Sequence, residues 1–165
     1  MARITLKGNP VDTVGDLPAK GSQAPDFTLT TQDLEDVSLE TYEGKKKILN
    51  IVPSLDTGVC AASAKTFDRR ADTLKNTVIL NISYDLPFAQ QRFCSAEGVD
   101  NLVTLSAFRS GGFGRDYGVE IINGPMKGLL SRAVVVLDEA NRVVYTEQVP
   151  EIAQEPDYDA AVAAL

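Results

Sequence analysis

Ile48-Leu49-Asn50-Ile51-Val52-Pro53-Ser54-Leu55-Asp56-Thr57-Gly58-Val59-Cys60 is the stretch on which the fold turns. Residues 48–52 form a compact, mostly apolar run that reads as a central buried strand. Pro53, with no amide hydrogen to give a sheet, ends it. From Cys60 the period changes. Cys60, Ala64, Phe67, Ala71 and Leu74 recur every three or four residues, which stacks them on one helical face. A thiol therefore stands where a strand hands over to a helix, with the hydroxyl of Thr57 three residues before it. Such handovers are frequent sites of chemistry in α/β sheets.

Working outward, Thr77–Ser83 reads as the next strand and residues 86–97 as a second helix. That helix has Asp85 as its N-cap, Pro87 in its first turn and Gly98 closing it, so Cys94 falls in its last turn. Residues 102–105 form a short strand and 113–117 a helical turn. Ala133–Leu137 and 142–148 make a hairpin around Asp138-Glu139-Ala140-Asn141, and 155–165 a last helix. Upstream, residues 3–7 and 11–14 form a hairpin turning at Gly8-Asn9-Pro10, and 26–39 hold two short strands. The order is that of an α/β thioredoxin-like fold, a mixed central sheet flanked by helices with an extra N-terminal β-hairpin. No repeat or linker interrupts it, and 165 residues suit a single domain, residues 1–165.

Composition narrows the function. Sixteen basic against 23 acidic side chains leave a net charge of −7, which disfavours nucleic acid and anionic membrane surfaces. The one basic run, Lys45-Lys46-Lys47, reads as the solvated entrance to the 48–52 strand. No apolar stretch is long enough for a signal peptide or a membrane span, so a cytoplasmic location is expected. In a reducing compartment two lone cysteines point to catalysis or redox sensing before structure. The chain has no histidine, which removes Ser-His-Asp and Cys-His pairs and any His-containing zinc site. No cofactor or metal is expected.

A thiol reacts as its thiolate, and a free thiol is only a few per cent ionised at neutral pH. Lowering a thiol from a pKa of about 8.5 to about 6 takes roughly 3.4 kcal/mol. A helix N-terminus contributes about 0.3–1 kcal/mol, up to ~2 when partly buried. The difference calls for a cation, here Arg or Lys, and for further donors such as the Thr57 hydroxyl. The residues alone leave another reading open, in which Cys60 is a small buried side chain on the Phe67 face and Cys94, beside Phe93, likewise. Cys60 and Cys94 are the only cysteines and stand on successive helices, and no Cys-x-x-Cys is present, against a dithiol exchange enzyme. A redox-sensing interaction protein and a binding module with a structural disulfide also remain as function classes.

Pro53-x-x-x-Thr57-x-x-Cys60 is similar to the active-site pattern of the peroxiredoxins. The longer stretch through Ala61-Ala62-Ser63 resembles the bacterial thiol peroxidases, an atypical two-cysteine branch. So do Leu86-Pro87-Phe88-Ala89-Gln90 before Arg92-Phe93-Cys94, and Gly124-Pro125-x-Lys127-Gly128-Leu129-x-x-Arg132-Ala133-Val134-Val135-Val136. The resemblance implies peroxide reduction, with Cys60 as peroxidatic and Cys94 as resolving cysteine within one subunit. It implies Thr57 and Arg132 as the activating hydroxyl and guanidinium, and Pro53 as a shield. Arg132 comes from the resemblance alone, since spacing does not single it out among eight arginines. The resemblance further implies a homodimer that takes thioredoxin as reductant. Gly111, Gly112 and Gly114 are expected to weaken the helical turn near them by about 1 kcal/mol each relative to alanine.

Overall fold

The computed structural model describes residues 1–165. A hairpin of β1 (Arg3–Leu6) and β2 (Asn9–Asp12) is followed by the short strands β3 (Leu29–Thr30) and β4 (Asp36–Val37). Then come β5 (Lys46–Ile51), α1 (Gly58–Ala71), β6 (Thr77–Ser83), α2 (Pro87–Glu97) and β7 (Val103–Ser106). The chain ends with α3 (Phe113–Asp116), β8 (Ala133–Leu137), β9 (Val143–Gln148) and α4 (Tyr158–Ala163). Seven strands form one sheet in the order β4-β3-β7-β6-β5-β8-β9. β5, β6 and β7 run parallel while β8, β9, β3 and β4 pair antiparallel, the mixed sheet the sequence indicates.

The centre of the sheet rests on a repeated tetrapeptide. Ile-Leu-Asn-Ile occupies 48–51 in β5 and 79–82 in β6, and the two copies pair residue for residue. Successive side chains point to opposite faces. Leu49, Ile51, Leu80 and Ile82 enter one core, with Phe113, Tyr117 and Val135. Ile48 and Ile79 enter the other, which α1, α2 and α4 cover with Phe67, Cys60, Cys94 and Ala161. Asn50 and Asn81 share that second face. They pair in the core, Asn50 Nδ2 donating to Asn81 Oδ1 at 2.6 Å.

Several boundaries differ from the sequence expectation, each for a local reason. The hairpin turns at Lys7-Gly8, with φ of 51° and 82°, and not at Gly8-Asn9-Pro10. Two consecutive positive φ values match the right-handed twist of the flanking strands. Asp85 is not the N-cap of α2: that position is Leu86, and the Asp85 carboxylate is engaged elsewhere. α1 begins at Gly58 with Thr57 as N-cap, so Cys60 lies inside its first turn. α4 is shorter than 155–165, because Pro156 cannot donate and Asp157 caps the helix by accepting from Ala160 N at 3.0 Å. Gly114 lies in α3, where a Cβ would come within 3.1 Å of Glu120 Cβ and 3.2 Å of Leu130 Cδ2, so close packing accounts for that glycine.

The hairpin is docked onto the segment after β9. Thr5 N donates to Pro150 O and Ile152 N to Thr5 O, both at 2.8 Å. Ile4 and Val11 form a small core with Ile121 and Ile152. The Glu151 carboxylate accepts from Ala153 N, Gly8 N and Thr5 Oγ1, each at 2.9 Å. The Ala153 and Gly8 amides hold its pKa down from 4.5 to about 2. A carboxyl with a depressed native pKa adds stability that is complete above its unfolded value and lost as pH falls through the native one. Hydrogen-exchange protection of the Thr5 amide is therefore expected to be constant above pH 4.5 and to fall as pH drops towards 2. Glu151→Gln should weaken that dependence, leaving the part that comes from Asp12, whose carboxyl Arg3 holds down across the hairpin.

Candidate active site

The loop from Pro53 to Thr57 is drawn tight by polar contacts. Pro53 is buried where β5 ends. Ser54 Oγ and Leu55 N both donate to the Asp85 carboxylate at 2.7 Å, and Ser83 Oγ donates to it at 2.7 Å. Thr57 Oγ1 donates to Ser54 O at 2.9 Å, closing the loop on itself just before α1. Asp85 thus ties the segment leading to Cys60 to the segment that opens α2, the helix of Cys94.

Cys60 has no solvent exposure and sits in the first turn of α1, on the face that packs against the sheet. The β5–β8 register pairs Ile51 with Ala133. That pairing sets Arg132, the residue before β8, beside the end of β5 from which the Cys60 loop leaves. Arg132 is 2% exposed. Its Nη2 donates to Cys60 Sγ at 3.2 Å and its Nε to Ile152 O at 2.7 Å. Nη1 is buried without a protein partner. The cation that the start of the helix lacks is therefore present, and a hydrogen bond to a charged group is worth about 1.5–3 kcal/mol. The two N–H groups of Nη1 remain unspent.

Thr57 departs from expectation. Its hydroxyl proton goes to Ser54 O, and it makes no hydrogen bond to the sulfur. Thr57 is the N-cap of α1 with an extended backbone, φ −126° and ψ 150°, but its side chain makes no capping bond to the helix. Its oxygen is left with acceptor capacity only.

The backbone of Cys60 is braced from below. Ser63 Oγ donates to Cys60 O at 3.0 Å and accepts from Asn50 Nδ2 at 3.3 Å, which joins the first turn of α1 to the Asn50–Asn81 pair. Cys94 lies in a different setting, 9% exposed in the last turn of α2. Gln32 Nε2 approaches its sulfur at 3.6 Å and donates to Thr104 Oγ1 at 2.6 Å. Burial pushes the Cys94 thiol up, against the opposing hydrogen bonds of Gln32 and Thr104, so Cys94 stays protonated at neutral pH. Both cysteines are free thiols. A groove of about 490 Å³ runs between the 54–56 loop and α2, lined by Leu55, Asp85, Arg92 and Phe93.

Pro53, Thr57, Cys60 and Arg132 thus meet around the end of β5, while Cys94 lies apart in the same core. Sequence reading missed Asp85 in its bridging role, Ile152, Ser63, Gln32, Thr104 and the two asparagines. Only the asparagines left a signal, a polar residue at the same place in two apolar strands.

Residues 19–162 match the family model described as Redoxin. The chain is similar to the thiol peroxidase of Mycobacterium tuberculosis, 58% identical over 165 residues that cover 100% of this chain and 99% of the relative. Among solved structures it is similar to a peroxiredoxin-like protein from Aquifex aeolicus, with TM-score 0.92 and 37% identity over 99% of this chain and 95% of the other. It is also similar to the thiol peroxidase from Chromobacterium violaceum, with TM-score 0.88 and 28% identity over 96% of this chain and 91% of the other. A buried thiol at a helix start with a guanidinium on it, set in this sheet, agrees with these likenesses: the chain belongs to the redoxin family and, within it, to the thiol peroxidases.

Proposed function

We propose that this thiol peroxidase reduces hydrogen peroxide and alkyl hydroperoxides through Cys60, that Cys94 resolves the product within the same subunit, and that thioredoxin returns the pair to thiols. The observation that carries the reading is the Arg132 Nη2–Cys60 Sγ contact of 3.2 Å at the start of α1. The guanidinium stabilises the thiolate, which attacks the terminal oxygen of the peroxide. An S–O bond forms, the O–O bond breaks, and the alkoxide or hydroxide that leaves takes a proton from water. Arg132 Nη1, the unspent donor, suits the peroxide oxygens as charge develops on them. The Thr57 oxygen, its own proton committed to Ser54, suits the peroxide O–H as acceptor. Pro53 shields the loop from water. With Cys60 covered, peroxide enters as the exposed Asp56-Thr57-Gly58 segment moves.

Cys94 then attacks the Cys60 sulfenic acid, forming the disulfide and releasing water. A disulfide requires Cα atoms within about 7 Å. Helices packed side by side hold their axes about 8–10 Å apart. The first turn of α1 or the last turn of α2 therefore unwinds, and Cys94 leaves Gln32. Thioredoxin reduces the disulfide by exchange. The net acidic chain works as one domain, residues 1–165, in the cytoplasm and as a homodimer; no helix is long and apolar enough to cross a membrane.

Cys60→Ser is expected to abolish peroxide consumption in an NADPH-coupled assay with thioredoxin and its reductase, run with hydrogen peroxide and cumene hydroperoxide in parallel. Cys94→Ser should reduce one equivalent of peroxide and then stop; sustained turnover would refute its resolving role. Arg132→Met should slow the peroxide step by about 10- to 100-fold, the rate equivalent of a lost charge-assisted hydrogen bond. Asp85→Asn keeps one acceptor oxygen for three donors and should cost about 1–3 kcal/mol in urea denaturation. It should also slow Cys60 oxidation by loosening the 54–57 loop, and an unchanged rate would show that the loop is held without it.

A further inference from the structure

The position of the Arg132 guanidinium depends on one protein group besides the sulfur. Nη1 has no protein partner, and Nε donates to Ile152 O. A planar guanidinium with two bonds is aimed by the two acceptors, so moving the Ile152 carbonyl swings Nη2 off the sulfur. What holds that carbonyl is the N-terminal hairpin. Pro150 O accepts from Thr5 N and Ile152 N donates to Thr5 O, which grips the backbone on both sides of Glu151. The Ile152 side chain, 3% exposed, is packed with Ile4 and Val11. The Glu151 carboxylate adds bonds from Thr5 Oγ1 and Gly8 N. Yet the hairpin, residues 3–12, precedes the stretch 19–162 that the chain shares with the redoxins at large. It touches neither cysteine through any hydrogen bond.

We propose that the β1–β2 hairpin is a positioning element of the peroxidatic site, holding the Ile152 carbonyl that aims the Arg132 guanidinium at the Cys60 sulfur. The inference takes Cys60 as the reacting thiol and Arg132 as its cation, as in the function proposed above. Thr5, Glu151 and Ile152 act through Arg132 and meet no substrate. Misplacing a reacting group by about 1 Å can cost on the order of a hundredfold in rate, so a loosened hairpin weakens the chemistry without removing any group from the site.

The test is the pH dependence of Cys60 alkylation by iodoacetamide in the full-length reduced protein, followed at the Cys60 peptide by mass spectrometry. Glu151→Ala should move the midpoint of that curve upward by about half a unit or more, and slow single-turnover peroxide reduction at pH 7 by about threefold or more. Thr5→Val, which replaces the hydroxyl by a methyl group and keeps the Thr5 backbone bonds, carries the same expectation in smaller measure should Glu151→Ala fail to fold. Val143→Ala weakens a core at the opposite end of the β8–β9 pair from Arg132 and should leave the midpoint in place. Adding Glu151→Ala to Arg132→Met should shift the midpoint no further than Arg132→Met alone. A wild-type midpoint and rate in the hairpin variants, with a shift in Arg132→Met, would overturn the hairpin's role alone. No shift in Arg132→Met would overturn the reading of Arg132 itself.

Discussion

A guanidinium steadies a sulfur anion best when it has been withdrawn from water, and Arg132 is buried against Cys60 across 72 residues of chain. The β5–β8 register and the Ile152 carbonyl hold those two groups together. A buried cation is costly unless its donors are used. Two of the three guanidinium nitrogens are used, on Ile152 O and on the sulfur, and the third is buried without a protein partner.

The two cysteines are set apart by environment more than by depth. Cys60 lies at a helix start with a cation on its sulfur. Cys94 lies at a helix end, where the same burial finds only neutral donors and pushes its thiol up. A single carboxylate, that of Asp85, links the Cys60 loop to the segment that opens α2. Below them the Asn50–Asn81 pair and Ser63 give the first turn of α1 a firm base on the sheet.

The strands and helices were readable from periodicity. The apolar runs at 48–52 and 77–83, and the three-four spacing from Cys60, fell where β5, β6 and α1 lie. Errors gathered at the ends of elements. Asp85 has the right chemistry for an N-cap one residue too early, and its carboxylate is taken up by Ser83 two residues before it and by Ser54 and the Leu55 amide from the distant loop. Thr57 has a hydroxyl at the expected place, but it donates to Ser54 O three residues back and not to the sulfur. Whether a side chain takes a near neighbour, as Thr57 takes Ser54 O, or a distant amide, as Asp85 takes Leu55 N, is decided by the folded backbone.

Local order alone determined where the thiols stand: Cys60 follows a strand ended by a proline, and Cys94 precedes a glycine that closes a helix. These are short-range effects, governed by hydrogen-bonding capacity and side-chain spacing within a few residues. Which cation reaches the sulfur was decided by the pairing of Ile51 with Ala133, and what aims that cation was decided by a hairpin lying against residues 150–152. Both depend on strand register between distant segments. No local propensity encodes that register, because it is set by the packing of the whole sheet.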